Sequence, residues 1–126
     1  MTASTRQYLL NAIEVGDIFF AIANDGEPKV VIAYRTDETS IFARLVTSQT
    51  KMQFGRDGKS RFVDGDYTCT IASVAPLPVT EYGVIRGLER KLRLSYALDQ
   101  IRLTDDEKTV LLGIVEFYKS RPLPET

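Results

Sequence analysis

The 126-residue chain contains no histidine and no tryptophan, and its one cysteine is Cys69. Without histidine, Ser-His-Asp and Cys-His nucleophilic machinery is excluded, together with His-rich zinc sites and the commonest acid/base side chain. A single cysteine excludes an internal disulfide framework and a cysteine-cluster zinc centre, so Cys69 reads as a small buried hydrophobe. No run approaches about 20 apolar residues, and residues 1–13 carry Arg6 with no small-residue cleavage pattern. A soluble, cytoplasmic protein without a membrane partner is therefore expected. What is present is ordinary for a folded chain: 44% hydrophobic and 26% charged residues, in a length that fits one domain.

Charge is unevenly distributed. The net charge is only −1, which argues against a protein built solely to coat nucleic acid. Residues 44–62, however, hold Arg44, Lys51, Arg56, Lys59 and Arg61 against Asp57 alone. Residues 82–103 hold Arg86, Arg90, Lys91, Arg93 and Arg102 against Glu89 and Asp99. Two basic islands in a near-neutral chain either mark an anion-binding surface or are two solvated faces.

The hydrophobic pattern predicts a small antiparallel barrel over 14–80, preceded by an arm or short helix in 1–13 and followed by helices in 81–126. Val15 to Ile22 is β-branched and aromatic, as a buried strand requires. Asn24-Asp25-Gly26-Glu27-Pro28 supplies turn chemistry, and Lys29 to Tyr34 forms a second strand. Ser40 to Val46 alternates, with Ile41, Ala43 and Leu45 on one face and Phe42, Arg44 and Val46 on the other. Residues 48–61 are polar and basic with two glycines, and read as a mobile loop or hairpin tip. Tyr67 to Val74 is a further strand, closed by Pro76 and Pro78. Asp64 and Asp66 flank Gly65 as turn residues rather than as metal ligands. Helical periodicity begins at Thr80, and Thr104-Asp105-Asp106-Glu107 is a capping box opening a last helix over about 105–119.

In this order of elements, several segments resemble the MazF/PemK endoribonuclease toxins. They are Gly16-Asp17-Ile18, Lys29-Val30-Val31-Ile32-Ala33, Leu45-Val46-Thr47-Ser48-Gln49, Ile71-Ala72-Ser73-Val74 and Leu103-Thr104-Asp105-Asp106-Glu107. The resemblance covers residues 14–118. It implies a mainly β fold with C-terminal helices, an SH3-like small antiparallel barrel of the MazF/PemK (CcdB-like) type. It also implies a homodimer that cleaves single-stranded RNA and is neutralised by an antitoxin protein. Two departures stand out: the family's basic residue is usually Arg followed by Pro, whereas here Pro28 precedes Lys29, and the 48–66 stretch is longer and more basic.

Cleaving RNA without a metal or cofactor, neither of which is expected here, needs help to the 2′-OH, charge stabilisation at the phosphorane and protonation of the leaving oxygen. The resemblance assigns Lys29 to the family's basic position and Thr47 to its hydroxyl position; Arg35, just past the second strand, is the second catalytic candidate. Lysine would act as a point charge rather than a bidentate fork. The expected RNA contacts are Ser48, Lys51, Phe54, Arg56, Lys59 and Arg61, because stacking on an aromatic ring among cations is how single strands are held. Each has an alternative. Lys29 also fits a lysine shielding a barrel edge, and Thr47 a hydroxyl bonding its own backbone. For the whole chain, the alternative is a non-catalytic small-barrel module that binds a protein or nucleic-acid partner.

Overall fold

The computed structural model describes residues 5–46, 50–63, 68–77, 79–94 and 104–125. A short helix α1 (Thr5–Asn11) precedes six strands: β1 (Ile18–Ala23), β2 (Pro28–Thr36), β3 (Ser40–Leu45), β4 (Lys51–Gly55), β5 (Ser60–Val63) and β6 (Cys69–Ser73). Helices α2 (Val79–Leu94) and α3 (Asp105–Lys119) follow. All strand pairs are antiparallel, in the order β5-β4-β3-β2-β1-β6. The expectation of a mainly β chain with C-terminal helices therefore holds at that level. No helix among the described residues is long and apolar enough to cross a membrane.

The sheet curls until its two ends touch. Lys59, beside β5, bridges Thr70 of β6, the Ile71 amide donates to the Gly58 carbonyl (2.8 Å), and the Cys69 amide donates to the Ser60 hydroxyl (2.9 Å). Register shifts at Phe20/Ala21, Ala33/Arg35 and Gln53/Phe54 supply bends of the kind that close small barrels. Side-chain size does the rest. Small residues (Ala21, Ala33, Ala43) alternate on the concave side with Phe19, Ile41, Met52, Phe54 and Ile71, so the sheet curls around a filled concave face. Phe19 meets Phe54 edge to face at 5.7 Å between centroids.

The other face of β1 and β2 carries Ile18, Phe20, Val30 and Ile32, which α2 and α3 cover with Ile85, Leu88, Leu111, Ile114 and Tyr118. This explains why β1 is an apolar run: both of its faces are buried from Ile18 to Ala21, and Ile22 alone is exposed near its end. Tyr118 is fully buried, stacks on Phe20 and donates its hydroxyl to the Ile18 carbonyl at 2.7 Å. Burial pushes its phenol above the ordinary range. The expected capping box starts α3: Thr104 Oγ1 accepts from the Glu107 amide, and Glu107 Oε1 accepts from the Thr104 amide. After α3 the chain returns to the sheet, where the Leu123 amide donates to the Ala72 carbonyl.

The structure corrects the expectation of a mobile loop over 48–61. Residues 51–55 and 60–63 are strands, and only Arg56–Lys59 form the tip between them. Met52 and Phe54 point into the barrel while Lys51 and Gln53 point out, so a two-residue alternation was present but diluted by glycines and cations. Gly58 turns this tip at φ +88°, with a position for Cβ only 3.4 Å from Leu10. A side chain there would meet both a disfavoured backbone and the helix packed beneath it.

Candidate functional site

The rim that carries the β1–β2 turn is built by short-range bonds. The Gly26 amide donates to Ala23, the Ala23 amide to Glu27, and the Glu27 amide to the Asp25 carboxylate. Gly26 takes the left-handed conformation that this tight reversal needs (φ +86°). Pro28 opens β2 opposite Ile22, and Lys29 lies directly opposite Ala21. Cross-strand partners share a face, so Lys29 projects to the concave side with Ala21. Its side chain is 18% exposed, and its ammonium lies 3.3 Å from the Glu27 carboxylate. Burial pushes the thiol of neighbouring Cys69 up, and the Lys29 charge draws it partly back. Cys69 is buried and free, as the sequence implied.

The end of β3 arrives at the same rim. The Val46 amide donates to the Val30 carbonyl at 2.9 Å, one residue from Lys29, and the Leu45 amide donates to Thr50 at 3.0 Å. Lys51, exposed at the start of β4, faces Arg44 directly across the ladder. Thr47 and Ser48 lie outside the described residues. The assembled rim can hold an anion near a half-buried ammonium, with Glu27 as the acid that balances it.

The remaining expected site residues fall elsewhere. Arg35 is six positions along β2 from Lys29, which in a strand is about 20 Å. Its guanidinium lies over the Phe42 ring on the convex side, 4.1 Å from the centroid. Phe54 is fully buried against Phe19, so it offers no ring face to a base. Arg56 is also a correction. Its guanidinium donates to the Leu10 (3.0 Å), Ile13 (3.1 Å) and Asp37 (3.2 and 2.9 Å) carbonyls, tying α1 to the sheet. Cations near a helix C-terminus commonly satisfy its last carbonyls, and that is the role of Arg56. Lys59 sits in the exposed tip, at the opposite end of β4 from Lys51 and about 13 Å away by strand rise. Arg61 lies in β5, with its side chain outside the described set.

No family model, curated protein or solved structure matches this chain.

Two features of the structure were not singled out from sequence. One is a cavity of about 330 Å³ between α1, the start of β1 and the start of α2. It is walled by Leu9, Ile13, Phe19 and Leu77, with Asp17 and Tyr82 as its polar groups. The Tyr82 hydroxyl accepts from Arg86 at 3.2 Å, and that guanidinium lies over the Tyr82 ring, 5.1 Å from its centroid. The other feature is the convex surface of β3 and β4, where Phe42, Arg44, Lys51 and Gln53 lie together. The Phe42/Arg44 alternation in the sequence was its one visible signal. Among the described residues, no group of three or more Cys, Asp or Glu side chains is arranged to hold a metal ion.

Proposed function

We propose that the chain is a toxin-like endoribonuclease of the MazF/PemK type, with an SH3-like barrel, cutting single-stranded RNA by metal-independent transesterification at the Lys29 rim. The observation that carries this reading is the Val46–Val30 hydrogen bond, which brings the end of β3 beside the start of β2, the strand that holds Lys29. A half-buried ammonium stabilises the phosphorane better than an exposed one, because less water competes for the developing charge. When RNA enters, its phosphate displaces Glu27 from Lys29. A partly exposed ion pair is worth only about 0–1 kcal/mol, so that exchange is cheap. Thr47 orients the phosphate or the 2′-OH. On this reading the active unit is a homodimer, an antitoxin protein blocks the rim, and the protein works in the cytoplasm.

The test uses protein freed of any partner, a long mixed-sequence RNA and EDTA, scoring 2′,3′-cyclic phosphate ends. Lys29→Ala is expected to lower cleavage by about 100- to 1000-fold, as loss of one charge-stabilising group does. Lys29→Arg keeps or raises activity, and Thr47→Val costs less than Lys29→Ala. If cleavage survives in Lys29→Ala, the Lys29 rim is not the cleavage site. If the wild-type protein does not cleave, the chain is a non-catalytic binding module, a reading that the Glu27–Lys29 pair favours because it leaves the rim neutral at rest.

A further inference from the structure

The convex surface of β2, β3 and β4 has a two-row plan. In the first row, Arg35 pairs with Phe42, and Phe42 with Gln53. In the second row, Ile32 pairs with Arg44, and Arg44 with Lys51. The rows are two residues apart along β3, about 7 Å. The first row is aromatic: the Arg35 guanidinium lies over Phe42, whose ring is also 6.4 Å from that of Tyr34 at a tilt of 51°. Gln53 is fixed beside them by a hydrogen bond to the Ser40 hydroxyl. The second row puts two cations directly opposite each other, which costs stability in a sheet. Where α2 and α3 bury the convex face, its side chains are apolar; where they do not, it is aromatic and basic. Asp37, just after β2, is turned into its own loop, accepting from the Thr39 and Ser40 amides.

We propose that this surface, and not the 56–59 tip, is where single-stranded RNA binds: a base stacks on the Arg35–Phe42–Tyr34 group and its phosphate is held by Arg44 and Lys51. The charge and the flat rings together specify the ligand. Cations alone would serve any polyanion, but a stacking surface on an open sheet serves unpaired bases, which a duplex does not offer. The cationic row is also the one nearer the Lys29 rim, since Val30 and Val46 follow it directly along β2 and β3. A strand held here therefore runs toward the cleavage site. The inference rests on the reading of the chain as acting on RNA, but not on its catalysing cleavage.

The experiment is fluorescence anisotropy of the full chain with a labelled mixed-sequence 12-nucleotide 2′-O-methyl RNA, which cannot be cut through its 2′ position. Wild-type protein is expected to bind, with affinity falling as salt rises, and to bind a duplex of the same sequence at least tenfold more weakly. Arg35→Ser with Lys51→Ser, both exposed, should lower affinity at least tenfold and flatten the log–log salt slope by about 0.7, the value for the one phosphate contact that Lys51 makes on a single strand. Phe42→Leu, which keeps the apolar volume, should weaken binding by about 5- to 100-fold without changing the slope. Lys108→Ser, on the exposed side of α3, should change neither. An unchanged affinity and slope in the Arg35/Lys51 double variant overturns the proposal, as does absent binding by the wild type or equal affinity for the duplex. Parallel incubation with unmodified RNA separates the two readings: binding with this pattern but without cleavage upholds the face and removes the catalytic role.

Discussion

On β1 and the first half of β2 the convex side chains are Ile18, Phe20, Val30 and Ile32, and helices bury all four. On β3 and β4 the same side carries Phe42, Arg44, Lys51 and Gln53, and none of these is fully buried. One sheet thus presents two surfaces that obey different rules. The first is chosen for volume and dryness, down to a tyrosine whose hydroxyl finds a strand carbonyl. The second keeps cations side by side at some cost to the fold, and a cost of that kind is what a binding surface carries. Stability should therefore be concentrated in the first region and RNA affinity in the second.

Tyr118→Ala should have the largest effect. It removes a fully buried ring from the stack on Phe20 and should destabilise by about 3–5 kcal/mol in urea unfolding. Tyr118→Phe isolates the hydroxyl and should cost about 1–3 kcal/mol, because the Ile18 carbonyl is left buried without that donor. A loss below 0.5 kcal/mol for the alanine variant would show that the helices are not what holds this half of the sheet.

Next in size, Arg56→Met keeps the apolar stem and deletes the donors to Leu10, Ile13 and Asp37. It should cost about 2 kcal/mol, with amide exchange faster in α1, while leaving RNA affinity in place. The converse, unchanged stability with weaker RNA binding, would return Arg56 to the binding surface.

At the small end, Lys51→Gln relieves a like-charge cross-strand pair and should leave stability unchanged or raise it by about 0.2–0.5 kcal/mol. A clear loss of stability would mean that Lys51 serves the fold.

Much of the first region was legible before any coordinates. The β-branched and aromatic run within Val15 to Ile22 means a buried strand, and Thr104 three residues before Glu107 means a helix start, because both signals are local. Alternation in 40–46 put Ile41, Ala43 and Leu45 on one face, and the structure makes that face the buried one. The 48–61 segment was harder. Only Met52 and Phe54 report its inward face, and the cations between them look like a loop. Arg56 could not be read at all. Its partners lie 19 to 46 residues away and are backbone carbonyls, which leave no mark on sequence. Phe54 misled for a related reason: basic neighbours suggested an exposed ring, whereas in a strand the neighbours of a buried residue point the other way. For the site, sequence supplied Lys29, while the pairing of Phe42 and Arg44 with the neighbouring strands required the register.

The account divides labour between a cleaving rim and a holding face, and steady-state kinetics on one unmodified single-stranded RNA test that division most directly. Removing binding shared by substrate and transition state raises KM alone, whereas removing charge stabilisation lowers kcat. The account predicts that Arg35→Ser with Lys51→Ser raises KM at least tenfold with kcat within twofold of wild type, and that Lys29→Ala lowers kcat by about 100-fold or more with little change in KM. The same fall in kcat from both variants, or a KM effect confined to Lys29→Ala, would contradict it.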